Sequence, residues 1–161
     1  MNIETEIKYL NTDNNKIRKD LIKLGFIRTQ EERTYNCYYF HFEEDIKNKR
    51  NRWGRIKDDG CGNILMGMKE VLEDKIGGVG EVDLYINCIE AGKQIFYALG
   101  MVDKKFHKMT REIWKIEDEN VEITLDNWDV IEPNIEIESD CVEKLKKYSK
   151  LLGLDFSKAI Y

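Results

Sequence analysis

Histidine is scarce in this chain, with His41 and His107 the two in 161 residues, and Cys37, Cys61, Cys88 and Cys141 lie far apart. No C-x-x-C pair exists, and a histidine-rich transition-metal centre is not expected. Any metal would be held by oxygen ligands, which points to magnesium, manganese or calcium. No apolar run approaches the roughly 20 residues of a membrane span, and the N-terminus lacks the apolar segment of a signal peptide. A cytoplasmic location with no membrane partner is therefore expected. Gly77-Gly78-Val79-Gly80 lacks the Lys-Ser/Thr that completes a phosphate-binding P-loop, so it reads as a turn. His107 has no serine or cysteine near it in an interpretable motif, which leaves no nucleophile arrangement and makes it a structural residue. Trp53, Trp114 and Trp128 read as packing rather than as base-stacking surfaces. There is no solenoid repeat and no low-complexity linker, and 161 residues are most simply one domain, 1–161. The net charge of −5 argues against a nucleic-acid partner. A small polyanion stays open, because bound cations can reverse the local sign of a carboxylate cluster.

What the chain does have is charge at strand period. Glu4, Glu6 and Lys8 alternate with Thr5, Ile7 and Tyr9, which puts three ionisable groups on one face of a strand. Ile135-Glu136-Ile137-Glu138 repeats the arrangement near the other end. Between them lie Arg55 with Lys57, Lys69, Glu81 with Asp83, Arg111, and Glu122 with Thr124 and Asp126. An ordinary half-buried strand hides apolar groups, so charge on nearly every strand candidate suggests a sheet wrapped around a polar interior.

The spacing predicts strands over Glu4 to Leu10, Phe26 to Glu32, Thr34 to Phe42, Arg55 to Lys57, Ile64 to Val71, Glu81 to Ile86, Phe106 to Ile116, Asn120 to Leu125 and Ile135 to Glu138. Phe26 to Glu32 and Thr34 to Phe42 read as one hairpin. A helix is expected over Asn14 to Leu24, capped by Asp13 and stopped at Gly25, with others over Ile89 to Leu99 and from about Ser139 to Leu152. The charged run Glu43 to Arg52 reads as a solvated loop, and Asp58-Asp59-Gly60 as a turn. The fold class is α+β, mainly β: an eight-stranded antiparallel closed barrel or tunnel with flanking helices. An open antiparallel sheet packed on helices is the alternative.

Facing carboxylate pairs repel unless protonated or neutralised by cations, and a hard divalent ion is the economical solution. Glu4, Glu6, Glu136 and Glu138 are the metal candidates, with Glu122 and Asp126 able to approach the same site. Lys8, Arg55 with Lys57, Lys69 and Arg111 come from four separate strands. Arginine offers a bidentate fork for phosphate oxygens and lysine a point charge. Together these groups suggest a cavity that holds a chain of phosphates bridged by metal, able to transfer or hydrolyse a phosphoryl group by positioning and electrostatic stabilisation.

The ordered set resembles the CYTH family, the triphosphate tunnel metalloenzymes, which include class IV adenylate cyclases, thiamine triphosphatases and inorganic triphosphatases. The Glu-x-Glu-x-Lys hallmark is similar to Glu4-Thr5-Glu6-Ile7-Lys8, the paired basic motif to Arg55-Ile56-Lys57, and the next strand lysine to Lys69. The central acidic strand resembles Glu81-Val82-Asp83, the later basic motif Lys108-Met109-Thr110-Arg111, and the closing Glu-Ile-Glu is present at Glu136-Ile137-Glu138. The resemblance covers almost the whole chain. It implies a tunnel open at both ends, Mg²⁺ or Mn²⁺ on the acidic residues, and a triphosphate bound by the basic ones together with Glu81, Asp83 and Lys108. Three departures stand out. Lys57 replaces the usual second arginine, Cys37 and His41 sit where acidic residues are frequent, and the tail after the last helix is short. Metal-dependent hydrolysis of a triphosphate is the expected activity, on inorganic tripolyphosphate, thiamine triphosphate or a nucleoside triphosphate. Cyclisation of ATP to cyclic AMP and a non-catalytic polyphosphate-binding module are the alternatives. The expected partner is a small triphosphate-containing substrate, and the expected state a monomer or homodimer.

Overall fold

The computed structural model describes all residues, 1–161. It is mainly β and antiparallel, with nine strands and four α-helices. The strands are β1 (Asn2–Glu4), β2 (Glu6–Leu10), β3 (Ile27–His41), β4 (Arg52–Asp58), β5 (Ile64–Val71), β6 (Val79–Ile86), β7 (Val102–Lys115), β8 (Val121–Trp128) and β9 (Asn134–Ser139). The helices are α1 (Asn14–Lys23), α2 (Glu43–Asn48), α3 (Ile89–Ala98) and α4 (Val142–Leu151).

Three expectations need correction. The first strand is interrupted at Thr5, and the sheet has nine strands where an eight-stranded barrel was expected. The expected hairpin over 26–42 is one continuous 15-residue strand, β3. Its centre, Gln30-Glu31-Glu32-Arg33, is charged, but it holds none of the Gly, Pro, Asn or Asp that set turn dihedrals, and charge alone turns nothing. Finally, part of the expected loop 43–52 is α2, whose first turn carries Glu43, Glu44 and Asp45 and whose last turn carries Lys47, matching the helix dipole. The caps of α1 are as read: Asp13 accepts from the N–H groups of Asn15 and Lys16 at 3.1 Å. The chain then leaves the helix through Gly25, whose φ of 86° is the left-handed region that favours glycine.

The chain divides into two compact units. Unit 1 comprises 1–4, 34–74 and 78–109. Its strands hydrogen-bond in the order β1-β6-β5-β4-β3-β7, the last two contributing the parts within these residues. Directly opposed residues share a face, and one face is apolar: Tyr38 opposes Ile56 and Phe40 opposes Gly54. Phe40, Ile56 and Met66 pack there with Phe96 of α3 and with Met101. The rings of Phe40 and Phe96 stand 4.7 Å apart.

Unit 2 comprises 5–33, 75–77 and 110–161, with strand order β3-β7-β8-β9-β2. Its apolar face carries Ile7, Ile137 and Ile123 in one cross-strand row and Tyr9, Ile135 and Leu125 in the next. Ile17 and Leu21 of α1 and Leu145 and Tyr148 of α4 complete that core. A buried Glu112 is pinned within it by both carboxylate oxygens to Arg18 Nε at 3.0 Å and by Trp114 Nε1 at 2.6 Å. At the C-terminus Ile160 exchanges both backbone hydrogen bonds with Lys8. In each unit one sheet face is spent on the core, and the period of two sends the charged residues to the other.

Candidate functional site

In unit 1 the charged face is read off the strand register. Arg55 of β4 opposes Gly67 of β5, which opposes Asp83 of β6; Trp53, Lys69 and Glu81 form the adjoining row. Asn2 opposes Glu81, so Glu4, two residues along β1, lies on the same face. The side chains join in one network. Lys69 Nζ donates to Glu4 Oε2 at 2.7 Å and reaches Glu81 Oε2 at 3.0 Å. Arg55 Nη2 donates to Glu81 Oε1 and lies 3.6 Å from Asp83 Oδ2. Gly67 makes room for this: a Cβ built there would fall 1.6 Å from Asp83 Oδ1. Burial raises both carboxyls of β6, but Glu81 ends well below the ordinary range through its bonds to Glu4, Arg55 and Lys69. Asp83 is pushed up to about 6 by burial and by its bond to Glu81, against the pull of Arg55. Lys57 lies on the same face, opposite Cys37 and Leu65, with its ammonium 5.5 Å from the Tyr35 ring centre.

Unit 2 builds a second charged face on β2, β9, β8 and β7. Lys8 opposes Glu136, and Thr124 opposes Glu136 from the other side. Glu6 and Glu122 both oppose Glu138, which makes a row of three carboxylates. Lys8 Nζ lies 2.6 Å from Glu136 Oε1. Arg111 grips Asp126 with two parallel bonds, Nε to Oδ1 at 2.7 Å and Nη2 to Oδ2 at 2.5 Å, and reaches Glu136 Oε2 at 2.6 Å. This bidentate geometry is the strong form of the pair. Burial disfavours charge on Arg111, yet Glu136 and Asp126 hold its pKa well above the ordinary value. Lys8 is likewise raised against burial by Glu136. Asp126, fully buried, is raised by burial even though Arg111 pulls it down.

The sequence-derived residues therefore fall into two networks. Glu4 joins Lys69, Glu81, Arg55 and Asp83 in unit 1. Lys8, Arg111, Asp126 and Glu136 join in unit 2, beside the Glu6, Glu138 and Glu122 row. Lys108 is not brought to Arg111: three residues earlier on β7, it alternates to the opposite face and is exposed. Two participants were missed. Lys115 lies four residues after Arg111 on the same strand and pairs with Glu122 at 2.8 Å, and its spacing could have revealed it. Gly67, two residues before Lys69, could have been read as the space left for a side chain of the next strand.

Carboxylates crowded at this density are hard oxygen donors, and by that chemistry they fit Mg²⁺ or Mn²⁺. No three His, Cys, Asp or Glu side chains converge as a ready-made cage. Instead lysine and arginine hold many of the same oxygens, with Lys69 on Glu4, Arg111 on Asp126 and Glu136, and Lys115 on Glu122. A metal bound to these oxygens would have to displace those cations. No helix is long and apolar enough to cross a membrane.

Comparison with known proteins places these features in a family. Residues 2–158 match the CYTH domain. A protein of Methanocaldococcus jannaschii provisionally named an adenylate cyclase is 30% identical over 156 residues, covering 94% of this chain and 87% of its own. Among solved structures, PH1012 from Pyrococcus horikoshii superposes with a TM-score of 0.80 at 18% identity, covering 98% of this chain and 94% of that one. The Hippeastrum protein HpAC1, a provisionally named adenylyl cyclase described as having a dominant triphosphatase activity, gives a TM-score of 0.67 at 14% identity, with 100% and 90% coverage. At such identities these structures speak for the fold.

Proposed function

This chain belongs to the CYTH domain family, and from that premise we propose that it hydrolyses a triphosphate in a divalent-metal-dependent reaction. The observation that carries the reading is the pair of charged sheet faces, on which cations from separate strands are held in place by carboxylates rather than by solvent. Arg55, Lys57 and Lys69 of unit 1 are assigned to phosphate oxygens, with Glu81 and Asp83 orienting Arg55 and Lys69. Lys8 and Arg111 of unit 2 are assigned the same role, oriented by Glu136 and Asp126. Because these ammonium and guanidinium groups are already fixed, they stabilise charge developing on a phosphoryl group without reorganising when it reacts. Glu6, Glu122, Glu136 and Glu138 of unit 2, with Asp126, and Glu4 of unit 1 are assigned to Mg²⁺ or Mn²⁺. When bound, the metal supplies charge neutralisation on the phosphate chain and polarisation of the bond that breaks. Water is the acceptor: the terminal P–O bond breaks, the diphosphate-terminated remainder is the leaving group, and the transferred phosphoryl group becomes orthophosphate with the water oxygen.

The name carried by the M. jannaschii relative favours a second reading, in which the ribose 3′ oxygen of ATP attacks the α-phosphorus to give cyclic AMP and pyrophosphate. One experiment separates the two. Tripolyphosphate, thiamine triphosphate and ATP are each incubated with Mg²⁺ or Mn²⁺, and the products are resolved by chromatography. Orthophosphate, with ADP from ATP, is the expected result. Cyclic AMP with pyrophosphate would replace hydrolysis by cyclisation, and no product from any substrate would overturn both.

A further inference from the structure

His41 ends β3 on the charged face of unit 1. Tyr39 opposes Arg55, and the period of two puts His41 on the same side. Continuing the register one step past Phe40 and Gly54 brings His41 opposite Trp53, whose neighbour on β5 is Lys69. Arg55 is then the diagonal neighbour of His41, at about 7–8 Å, a gap that both side chains can span. The imidazole is held differently from the cations beside it. Lys69 is tied to Glu4 and Glu81, and Arg55 to Glu81 and Asp83. Nδ1 of His41, by contrast, is buried and has no hydrogen-bond partner. Burying a polar atom unpaired costs stability, so packing alone does not account for a histidine here. With no acceptor in reach, an N–H at Nδ1 would be stranded. Carrying the ring proton on Nε2 instead makes the imidazole a neutral donor. The residue as a whole is only partly buried, which leaves the Nε2 side of the ring to the open part of the face. Arg55 commits Nη2 to the carboxylates of β6, and the other N–H groups of its guanidinium remain for an anion.

We propose that His41 is a substrate-binding residue whose Nε2–H donates to an oxygen of the phosphate chain held by Arg55 and Lys69. This deepens the reading of the charged face of unit 1 as a phosphate site, and it rests on that reading. A neutral donor adds direction rather than charge. Lysine attracts a phosphate from many angles, whereas one fixed ring N–H selects where along the face a phosphoryl group lies. His41 therefore sets the position of the chain on the β3 side of Arg55, opposite the carboxylates of β6 that orient the guanidinium.

The test is calorimetric titration of tripolyphosphate, without divalent metal and at low ionic strength, into the parent chain, His41→Leu, His41→Asn, His41→Gln and Lys69→Ala. The amide nitrogen of glutamine reaches about as far as Nε2 of histidine, and that of asparagine only as far as Nδ1. His41→Leu and His41→Asn should bind roughly tenfold to a hundredfold more weakly, the loss of one hydrogen bond to a charged acceptor. His41→Gln should stay within about threefold of the parent, because a donor is restored where Nε2 was. Thermal melts confirm folding, and His41→Asn carries the test should the leucine disturb the strand end. Parent affinity in His41→Leu or His41→Asn, with Lys69→Ala weakened, would overturn the role of His41 and keep the phosphate on this face. A His41→Gln protein as weak as His41→Leu would overturn donation from Nε2. A parent that binds no tripolyphosphate, or binds it no better than Lys69→Ala, would overturn the phosphate site of unit 1 and this inference with it.

Discussion

The charged face of unit 1 and that of unit 2 use the same residue types to different balances. On the first, Arg55, Lys57 and Lys69 share their face with Glu4, Glu81 and Asp83, so cations and carboxylates match. On the second, Lys8, Arg111 and Lys115 share theirs with Glu6, Glu122, Asp126, Glu136 and Glu138, five carboxylates beside these three cations. A balanced network offers incoming phosphate oxygens cations that its carboxylates already hold in place. An acidic excess instead calls for added positive charge, and hard oxygen donors select a divalent cation. Under the proposed function, phosphate handling falls to both faces and most of the metal handling to unit 2.

The largest effect expected from breaking this contrast is on stability, at the most buried pair. Arg111→Ala leaves Asp126, which is 0% exposed, without its bidentate partner and should cost about 3–5 kcal/mol, read by chemical denaturation. Glu136 loses the same partner, so the acidic excess of unit 2 deepens. Overpacking the balanced face should come next. In Gly67→Ala the new methyl would overlap Asp83 Oδ1 and lie 2.5 Å from the Val82 carbonyl oxygen, costing about 1–3 kcal/mol in the same measurement. Lys69→Ala removes a phosphate contact and no metal ligand. It should raise the substrate concentration needed for half-maximal turnover at saturating metal, while the metal concentration required stays level or falls, because Lys69 also leaves Glu4. An equal shift in both would erase the distinction between the faces.

The smallest effect concerns pH. Asp83 is pushed up to about 6 from an ordinary 3.8, mainly by burial. The folded state therefore binds more protons than the unfolded one between those values, and this group's contribution to stability falls as pH rises through that window. Asp83→Asn removes that penalty, so its melting temperature relative to the parent should climb between about pH 4 and 6. A difference constant across that range would show that Asp83 titrates at its ordinary value.

Much of the candidate site was legible because alternation is local. Glu136 and Glu138, Glu81 and Asp83, and Arg55 and Lys57 declare a shared face within three residues, whatever they pack against. The same rule, applied strictly, separates Lys108 from Arg111 and adds Lys115 to Arg111, since odd and even spacings fall on opposite faces. Partners set by register are a different matter. That Lys69 meets Glu4, or that Arg111 grips Asp126, depends on which strands become neighbours. The Arg18, Glu112 and Trp114 cluster likewise joins α1 to β7 across 94 residues. The fold class and caps were readable from Asp13, Gly25 and the apolar rows. The continuous β3 was not, because its charged centre mimics a loop while lacking any residue that turns the chain, and α2 is too short for its periodicity to stand out.

The central claim is that the excess carboxylates of unit 2 hold the metal on which turnover depends, and Glu138→Gln tests it most directly. Glutamine keeps the size and hydrogen-bonding capacity of Glu138 but removes one negative oxygen ligand from the row with Glu6 and Glu122. Phosphate release from tripolyphosphate, titrated with Mn²⁺ and read beside a thermal melt, should show turnover reduced by roughly a hundredfold at limiting metal, on the order of 3 kcal/mol. Half-activation should move to higher Mn²⁺, and the melting temperature should be equal to the parent's or higher, because one of three mutually repelling charges is gone. A folded Glu138→Gln protein with the parent rate and the parent metal dependence would contradict the claim.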